Sequence, residues 1–317
     1  MVEKKDTGKT PSLLVVGSLN MDLVMNCDRL PEPGESRMGQ KYDYIPGGKG
    51  ANQAVAASRL GAEVTFAGKR GSDANGEILE KSLIESGIDT DFLKIDNNSK
   101  TGLASIFVDE EGENRILVFP GANMEINWKD IEAVFNNSFD IILLQLEIPR
   151  ALNIKVWEKA RQEQIPVIMD MGPAQSFPLQ QVEGIKILSP NETEAQALTG
   201  IKVNSIKEAE KAAAELARIS RAEMVVIKLG AKGSLLYQDN HSLFFPAYEV
   251  DPVDTTAAGD AFTAALGHYY IKSGEIETAV KYANAAGACT VTGAGAQTSL
   301  PDTAAVEKMM RENKLKE

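Results

Sequence analysis

The segment Pro252–Phe262 (PVDTTAAGDAF) carries the clearest chemistry in the sequence. It enters a predicted helix through small residues only, Ala257, Ala258 and Gly259. Small residues at a helix N-terminus leave backbone N–H groups open to an anion. Asp260 follows in the first turn, where the positive end of the helix dipole keeps a carboxylate charged and able to act as a base. Together these parts suit phosphoryl transfer: the N–H groups stabilise charge on the group in flight, and the carboxylate takes the proton of the attacking hydroxyl. The plainer alternative is that Asp260 only complements the dipole.

Two further segments carry polar groups at strand or helix ends. In Ile45–Asn52 (IPGGKGAN), Gly47, Gly48 and Gly50 let the backbone come close to a ligand just where a helix begins, with Asn52 on its first turn. In Ser189–Glu194 (SPNETE), Asn191, Glu192 and Glu194 offer hard oxygen donors of the kind Mg²⁺ prefers when shared with phosphates. Taken alone, the second segment is equally a capping box, Asn191 with Glu194 three residues on. Gly8-Lys9-Thr10 imitates a P-loop ending, but Glu3 stands where its first glycine is needed and no strand precedes it. Gly68–Gly71 and Gly230–Gly233 lack dinucleotide spacing, and the first strand ends in Gly17-Ser18-Leu19-Asn20, which removes the main support for a nicotinamide dehydrogenase.

The elements that must hold these residues alternate. Apolar runs predict strands at Leu13–Gly17, Val64–Ala67, Asp140–Leu146, Pro166–Met169, Ile185–Leu188 and Met224–Leu229. Between and after them, helical periods and terminal glycines predict helices at Lys49–Leu60, Ala74–Ser86, Ala151–Gln164, Glu192–Thr199, Ile206–Ile219, Ala257–Lys272 and Ile276–Thr290. This order predicts a mostly parallel sheet with helices on both faces. Two stretches break the rhythm: polar Asp22–Tyr44, and Thr101–Phe119, which is strand-like on both sides of a turn at 109–113. They predict a small β layer, either a lid or an edge hairpin.

Composition narrows the classes. The chain has 317 residues, 43% hydrophobic and 25% charged, with a net charge of −12, which argues against a general nucleic-acid binder. Two cysteines, Cys27 and Cys289, exclude a disulfide scaffold and point to a reducing cytoplasm. No apolar run approaches the roughly 20 residues of a membrane span. Residues 1–11 read as a polar, disordered lead-in rather than a secretory signal. Neither cysteine has metal or nucleophile spacing, and His241, His268, Trp128 and Trp157 carry no evident chemistry.

The segments taken together resemble the ribokinase family of phosphofructokinase-B-type sugar kinases, from Leu13 to about Pro301. The resemblance rests on GSLNMD at 17–22, GGKGANQAVAASRLGA at 47–62, Gln145-Leu146-Glu147, PNETEA at 190–195 and DTTAAGDAF at 254–262. It implies a ribokinase-like three-layer α/β sandwich, residues 12–317, with lid insertions at about 20–46 and 99–120. The implied reaction is ATP-dependent phosphorylation of D-ribose at the 5-hydroxyl. Asn20, Asp22, Gly48, Lys49, Asn52 and Glu147 would hold the sugar, Asp260 would be the base, and Ala257, Ala258 and Gly259 the anion hole. Asn191 and Glu194 would orient the Mg²⁺ shell, Glu194 through water. Lys228, Gly230, Gly233, Gly259 and Asn284 would border ATP. Asp254, Thr256, Thr290, Gly293, Gly295 and Ser299 would hold an activating K⁺, and the lid would form a homodimer. One departure stands out: where the family commonly has Asn-Pro-Ala-Pro-Ala, this chain has Asp170-Met171-Gly172-Pro173-Ala174, placing an extra carboxylate near the phosphate end. A kinase for 2-deoxyribose, fructose or a nucleoside on the same fold is one alternative, and a sugar- or nucleotide-binding regulator without turnover is another.

Overall fold

The computed structural model describes residues 8–111, 114–312 and 314–315. In chain order the strands are β1 (Ser12–Val16), β2 (Asn20–Asn26), β3 (Lys41–Gly47), β4 (Glu63–Gly71), β5 (Asp89–Asp96), β6 (Gly102–Val108), β7 (Asn114–Phe119), β8 (Ile141–Leu144), β9 (Val167–Asp170), β10 (Ile187–Ser189), β11 (Met224–Lys228), β12 (Gly233–Gln238) and β13 (His241–Pro246). The helices are α1 (Lys49–Arg59), α2 (Ala74–Glu85), α3 (Trp128–Ile131), α4 (Arg150–Gln162), α5 (Glu192–Thr199), α6 (Ile206–Ser220), α7 (Ala258–Ser273), α8 (Ile276–Val291) and α9 (Thr303–Glu312).

Among the described residues, nine strands form one sheet in the order β13-β12-β11-β10-β9-β8-β1-β4-β5, every pairing parallel except β11–β12 and β12–β13. Every residue of β8, β9 and β11 is buried, because helices cover both faces. Alternate side chains divide between two cores. Leu13, Val15, Ile141 and Leu143 pack with α1, α2, α7 and α8, while Leu14, Val16, Ile142 and Leu144 pack with α4 and α6. This is the expected three-layer sandwich.

The stretches that broke the helical rhythm form a separate four-stranded sheet, β3-β2-β6-β7. The chain leaves β1 and enters β2 within a few residues, so this sheet rises directly from the C-terminal end of the main one. The register puts Asp22, Ala104 and Val118 in one row, and Leu23, Tyr44, Ser105 and Leu117 in the next. Successive rows face opposite sides of the sheet. Of the turn expected at 109–113, residues 112 and 113 lie outside the described residues.

Residues 1–7 of the expected lead-in also lie outside the described residues. Of its last four, Lys9 pairs with Asp140, and the Pro11 carbonyl accepts a hydrogen bond from Glu63 N at 2.9 Å. Ala257, expected as the first helical residue, is instead the residue before α7, held at φ 60°. Edge strand β5, the β12–β13 hairpin and α9 were not anticipated. The hairpin turns through Asp239 and Asn240, both at positive φ, the backbone a two-residue hairpin turn requires.

Candidate active site

The candidate residues gather at the C-terminal ends of the parallel strands, where open α/β sheets bind ligands. Glycines set the approach of α1. A Cβ on Gly48 would lie 2.6 Å from Asn20 N, and one on Gly47 only 2.2 Å from an Asp22 carboxylate oxygen. Larger residues there would push the loop off both side chains. Glu147, just past β8, accepts from the Ser18 hydroxyl (2.5 Å) and from Lys49 N (3.1 Å) with the same oxygen. It therefore ties the start of α1 to the end of β1. Asn20 accepts from Asn123 Nδ2 at 2.7 Å.

Asp260 lies at the centre, 4% exposed. One carboxylate oxygen accepts from Asn52 Nδ2 at 3.0 Å, the other from Gln53 Nε2 at 3.3 Å. The Lys49 ammonium stands 3.7 Å away. Burial acts to lower the Lys49 ammonium, but Asp260, Asp170, Glu194 and Glu147 outweigh it and raise it above its ordinary value. Asp22 is pushed up to about 7, chiefly by burial and then by Glu147 and Asp260. The sugar-side candidates Asn20, Asp22, Gly48, Lys49, Asn52 and Glu147 therefore cluster about the start of α1, with Asn20 and Glu147 lining a cavity of about 660 Å³ and Lys49 lining a second cleft together with Asp260.

That second cleft has a volume of about 490 Å³. Ala257, Ala258 and Gly259 line it, and the strained left-handed conformation of Ala257 is the sort of backbone outlier that marks ligand clamps. Lys228, Gly230, Gly233, Asn191, Glu194 and Asn284 line it as well, with an apolar wall of Tyr248, Val250, Ala288 and Val291. Asn284 donates its amide to the Phe245 carbonyl at 3.2 Å.

Asn191 and Glu194 form the capping box of α5: Glu194 accepts from Asn191 N at 2.7 Å, and Asn191 accepts from Glu194 N at 2.8 Å. Burial raises the Glu194 carboxyl, with Asp170 adding to it. Among the described residues no group of three or more His, Cys, Asp or Glu could hold a metal ion. One carboxylate with spare lone pairs still fits a Mg²⁺ that keeps most of its waters and arrives with phosphates.

The residues expected around K⁺ also converge. Asp254 accepts from Thr256 N (2.9 Å) and from Gly295 N (2.9 Å). Gly293 N donates to the Thr290 carbonyl (3.2 Å), and Ser299 caps the Gly295 and Ala296 carbonyls (2.6 and 3.0 Å).

Gln53, Gln145, Asn123 and Thr263 complete the polar shell; Gln53 and Gln145 lie in the strings that carried the resemblance, while Asn123 and Thr263 had no sequence signal. Gln145 Nε2 donates to Gln53 Oε1 at 2.7 Å. Asp170 is fully buried rather than open to the phosphate end, and it accepts from Lys228 Nζ at 2.8 Å and Thr263 Oγ1 at 2.9 Å.

Residues 10–303 match the model of the pfkB family of carbohydrate kinases. A ribokinase from Haemophilus influenzae is 37% identical over 293 residues, covering 92% of this chain and 95% of that protein. A deoxyribokinase from Salmonella typhi is 32% identical, covering 91% and 95%. The structure of Arabidopsis thaliana ribokinase complexed with ribose and ATP superposes with a TM-score of 0.87 at 35% identity, covering 96% of this chain and 99% of that one.

Proposed function

The chain belongs to the pfkB family of carbohydrate kinases, and we propose that its acceptor is D-ribose, phosphorylated by ATP at the 5-hydroxyl. The enzyme is an ATP-dependent sugar kinase. The observation that carries the ribose reading is the position of Asp260 between two differently built groups of residues. One is the cluster of hydroxyl-binding side chains about the start of α1; the other is the cleft floored by helix N–H groups, with an apolar wall suited to a base.

In this reading Asn20, Asp22, Asn52 and Glu147 pair the sugar hydroxyls, and an analogue lacking one leaves a buried polar group unpaired. Asp260 accepts the proton of the 5-hydroxyl, while Asn52 and Gln53 fix the orientation of its two oxygens. The N–H groups of Ala258 and Gly259 stabilise charge on the transferring phosphoryl group, and Lys49 adds a cation beside Asp260. Mg²⁺ near Glu194 would neutralise phosphate charge when bound, and K⁺ at the loop around Asp254 and Gly295 would steady the anion hole.

The small sheet is assigned as a lid that excludes water before transfer. Its Asp22 face looks toward the site. Its opposite face exposes Tyr42, Tyr44, Leu117 and Phe119, each more than half exposed. A contiguous apolar face of this kind marks an interaction surface, and we assign it to a second copy of the chain. Both cysteines are free, which accords with a cytoplasmic setting. No helix of the described residues is long and apolar enough to cross a membrane.

The test is ADP release with D-ribose, 2-deoxyribose, fructose and adenosine, run with K⁺ and with Na⁺. Preference for ribose with K⁺ stimulation is expected. Preference for 2-deoxyribose, the acceptor suggested by the Salmonella relative, would move the substrate and keep the mechanism. ATP binding without turnover on any acceptor would overturn the kinase reading.

A further inference from the structure

Asp170 ends β9 and Lys228 ends β11, with β10 between them. Their side chains meet over the end of β10 at 2.8 Å, with Asp170 fully buried and Lys228 9% exposed. A buried ion pair of this kind rarely stabilises a fold relative to apolar packing, so its presence beside the reacting groups calls for another explanation.

Each partner reaches one half of the site. On the nucleotide side, Lys228 lines the 490 Å³ cleft with Gly259. A Cβ built on Gly259 would lie 3.8 Å from the Lys228 ammonium. That ammonium has three donors. Among the described residues one donates to Asp170 and no other hydrogen bond of it is seen. On the acceptor side, Gln53 Nε2 bridges two carboxylates, donating to Asp170 at 3.4 Å and to Asp260 at 3.3 Å. Gln145 fixes that amide by donating to its oxygen. Asp170 also receives Thr263 of α7 and the backbone N–H of Gly172 (3.0 Å).

We propose that Asp170 is a positioning residue: it holds the Lys228 ammonium beneath the anion loop as a phosphate contact and, through Gln53, holds the acceptor-facing carboxylate of Asp260. One buried carboxylate thereby couples the phosphate contact to the base. The inference rests on the kinase reading above. Burial opposes the charged form of Asp170, but Lys228 and Lys49 outweigh it and keep the carboxyl below its usual range, so the anchor is ionised when the site works.

The coupling predicts how variants combine. In Lys228→Met a buried carboxylate is left facing the incoming phosphates without its cation. In Asp170→Asn the single amide oxygen can keep only one of the Thr263 and Gly172 donors, which meet different carboxylate oxygens, and Lys228 and Gln53 both lose the charged acceptor that positions them. In the double variant neither unpaired charge remains.

The experiment is steady-state kinetics of wild type, both single variants and Asp170→Asn/Lys228→Met, with ATP and ribose varied separately and thermal midpoints recorded. Lys228→Met should raise KM for ATP tenfold or more and leave KM for ribose within about threefold. Asp170→Asn should lower kcat about tenfold. The double variant should exceed Lys228→Met in kcat/KM for ATP by fivefold or more. Effects that simply multiply, or KM values for ATP and ribose that rise together in step with lost thermal stability, would overturn the proposal. Should Lys228→Met fail to fold, Asp170→Asn carries the test: an unchanged kcat in that folded variant overturns it. Wild-type turnover on ribose is the separate control, and its failure would count against the ribose reading, with the same comparison then made on the acceptor that is turned over.

Discussion

Replacing Asp260 by Asn tests the base with little change of shape. General-base catalysis contributes roughly 10²–10⁴-fold, or about 3–5 kcal/mol of barrier at about 1.4 kcal/mol per factor of ten. The surroundings set what else changes. Asp260 receives donors from both sides, Asn52 Nδ2 at 3.0 Å and Gln53 Nε2 at 3.3 Å. An Asn offers one acceptor oxygen, so one of these donors would face an NH₂ group, at a cost of about 1–3 kcal/mol. Against this, removing a charge relieves its repulsion with Asp22. These stability terms oppose one another, so the folded population should survive while the chemistry does not. Measured as ADP release at saturating ATP and ribose, kcat should fall by 10² to 10⁴, and calorimetric ATP affinity should stay within a few fold. A folded Asp260→Asn enzyme with kcat within tenfold of wild type would remove Asp260 from the base role.

Asp22, raised to about 7, favours the fold in its neutral form: the contribution is full below the ordinary carboxylate pKa of 3.8 and is lost as pH rises through 7. Asp22→Asn should therefore gain thermal stability over wild type at pH 8 but little at pH 4, while its KM for ribose rises; an equal gain at both pH values would contradict this. His268 is 1% exposed, with neither ring nitrogen paired among the described residues, and burial, then Lys272, lowers it to about 4. Its neutral form favours the fold, so stability should be present above pH 6.5 and be lost as pH falls toward 4. Melting curves of His268→Phe should be flatter across that window, and an unchanged acid slope would assign the loss elsewhere. Leu117→Lys should convert a lid-mediated dimer to monomer in sedimentation velocity, and a dimer that persists would move the interface off this face. Exchanging K⁺ for Na⁺ should slow turnover, with Gly295→Ala reducing the difference, since Gly295 sits at φ 82° beside Asp254; equal rates in both salts would dismiss the cation site.

What the sequence disclosed was what lies in continuous segments. Gly47–Asn52, Asn191–Glu194 and Thr256–Asp260 each carry their geometry locally, in glycines, caps and a helix entry. The buried strands β1, β8 and β11 were legible because both their faces are apolar. Edge strands β5 and β13 were not, since only one residue of each is buried and polar side chains interrupt the run. The polar shell was hidden for another reason. Asn52 meets Asp260 across 208 residues, Gln53 meets Gln145 across 92, and Asp170 meets Lys228 across 58. No local pattern encodes such pairs. Asp170 showed itself only as a departure from a familiar string, and its partner emerged from the strand order, which sets β9 and β11 on either side of β10.

The charges around the site explain why so acidic a chain can handle a polyanion. Asp22, Glu147, Asp170, Glu194 and Asp260 surround the ammonium groups of Lys49 and Lys228. Side-chain charge alone would therefore repel ATP. Three features counter this. Asp170 is neutralised by Lys228 at 2.8 Å, and Asp22 titrates near 7, so it can shed its charge. Glu147 spends one oxygen on Ser18 and the start of α1. In the proposed reaction what would then meet the phosphates is backbone, the first turn of α7, whose N–H groups lack partners within the helix, and a bound Mg²⁺ would supply the remaining positive charge. A site built in this way would bind phosphate by geometry rather than by excess base, with Asp260 beside it in place to take the acceptor's proton.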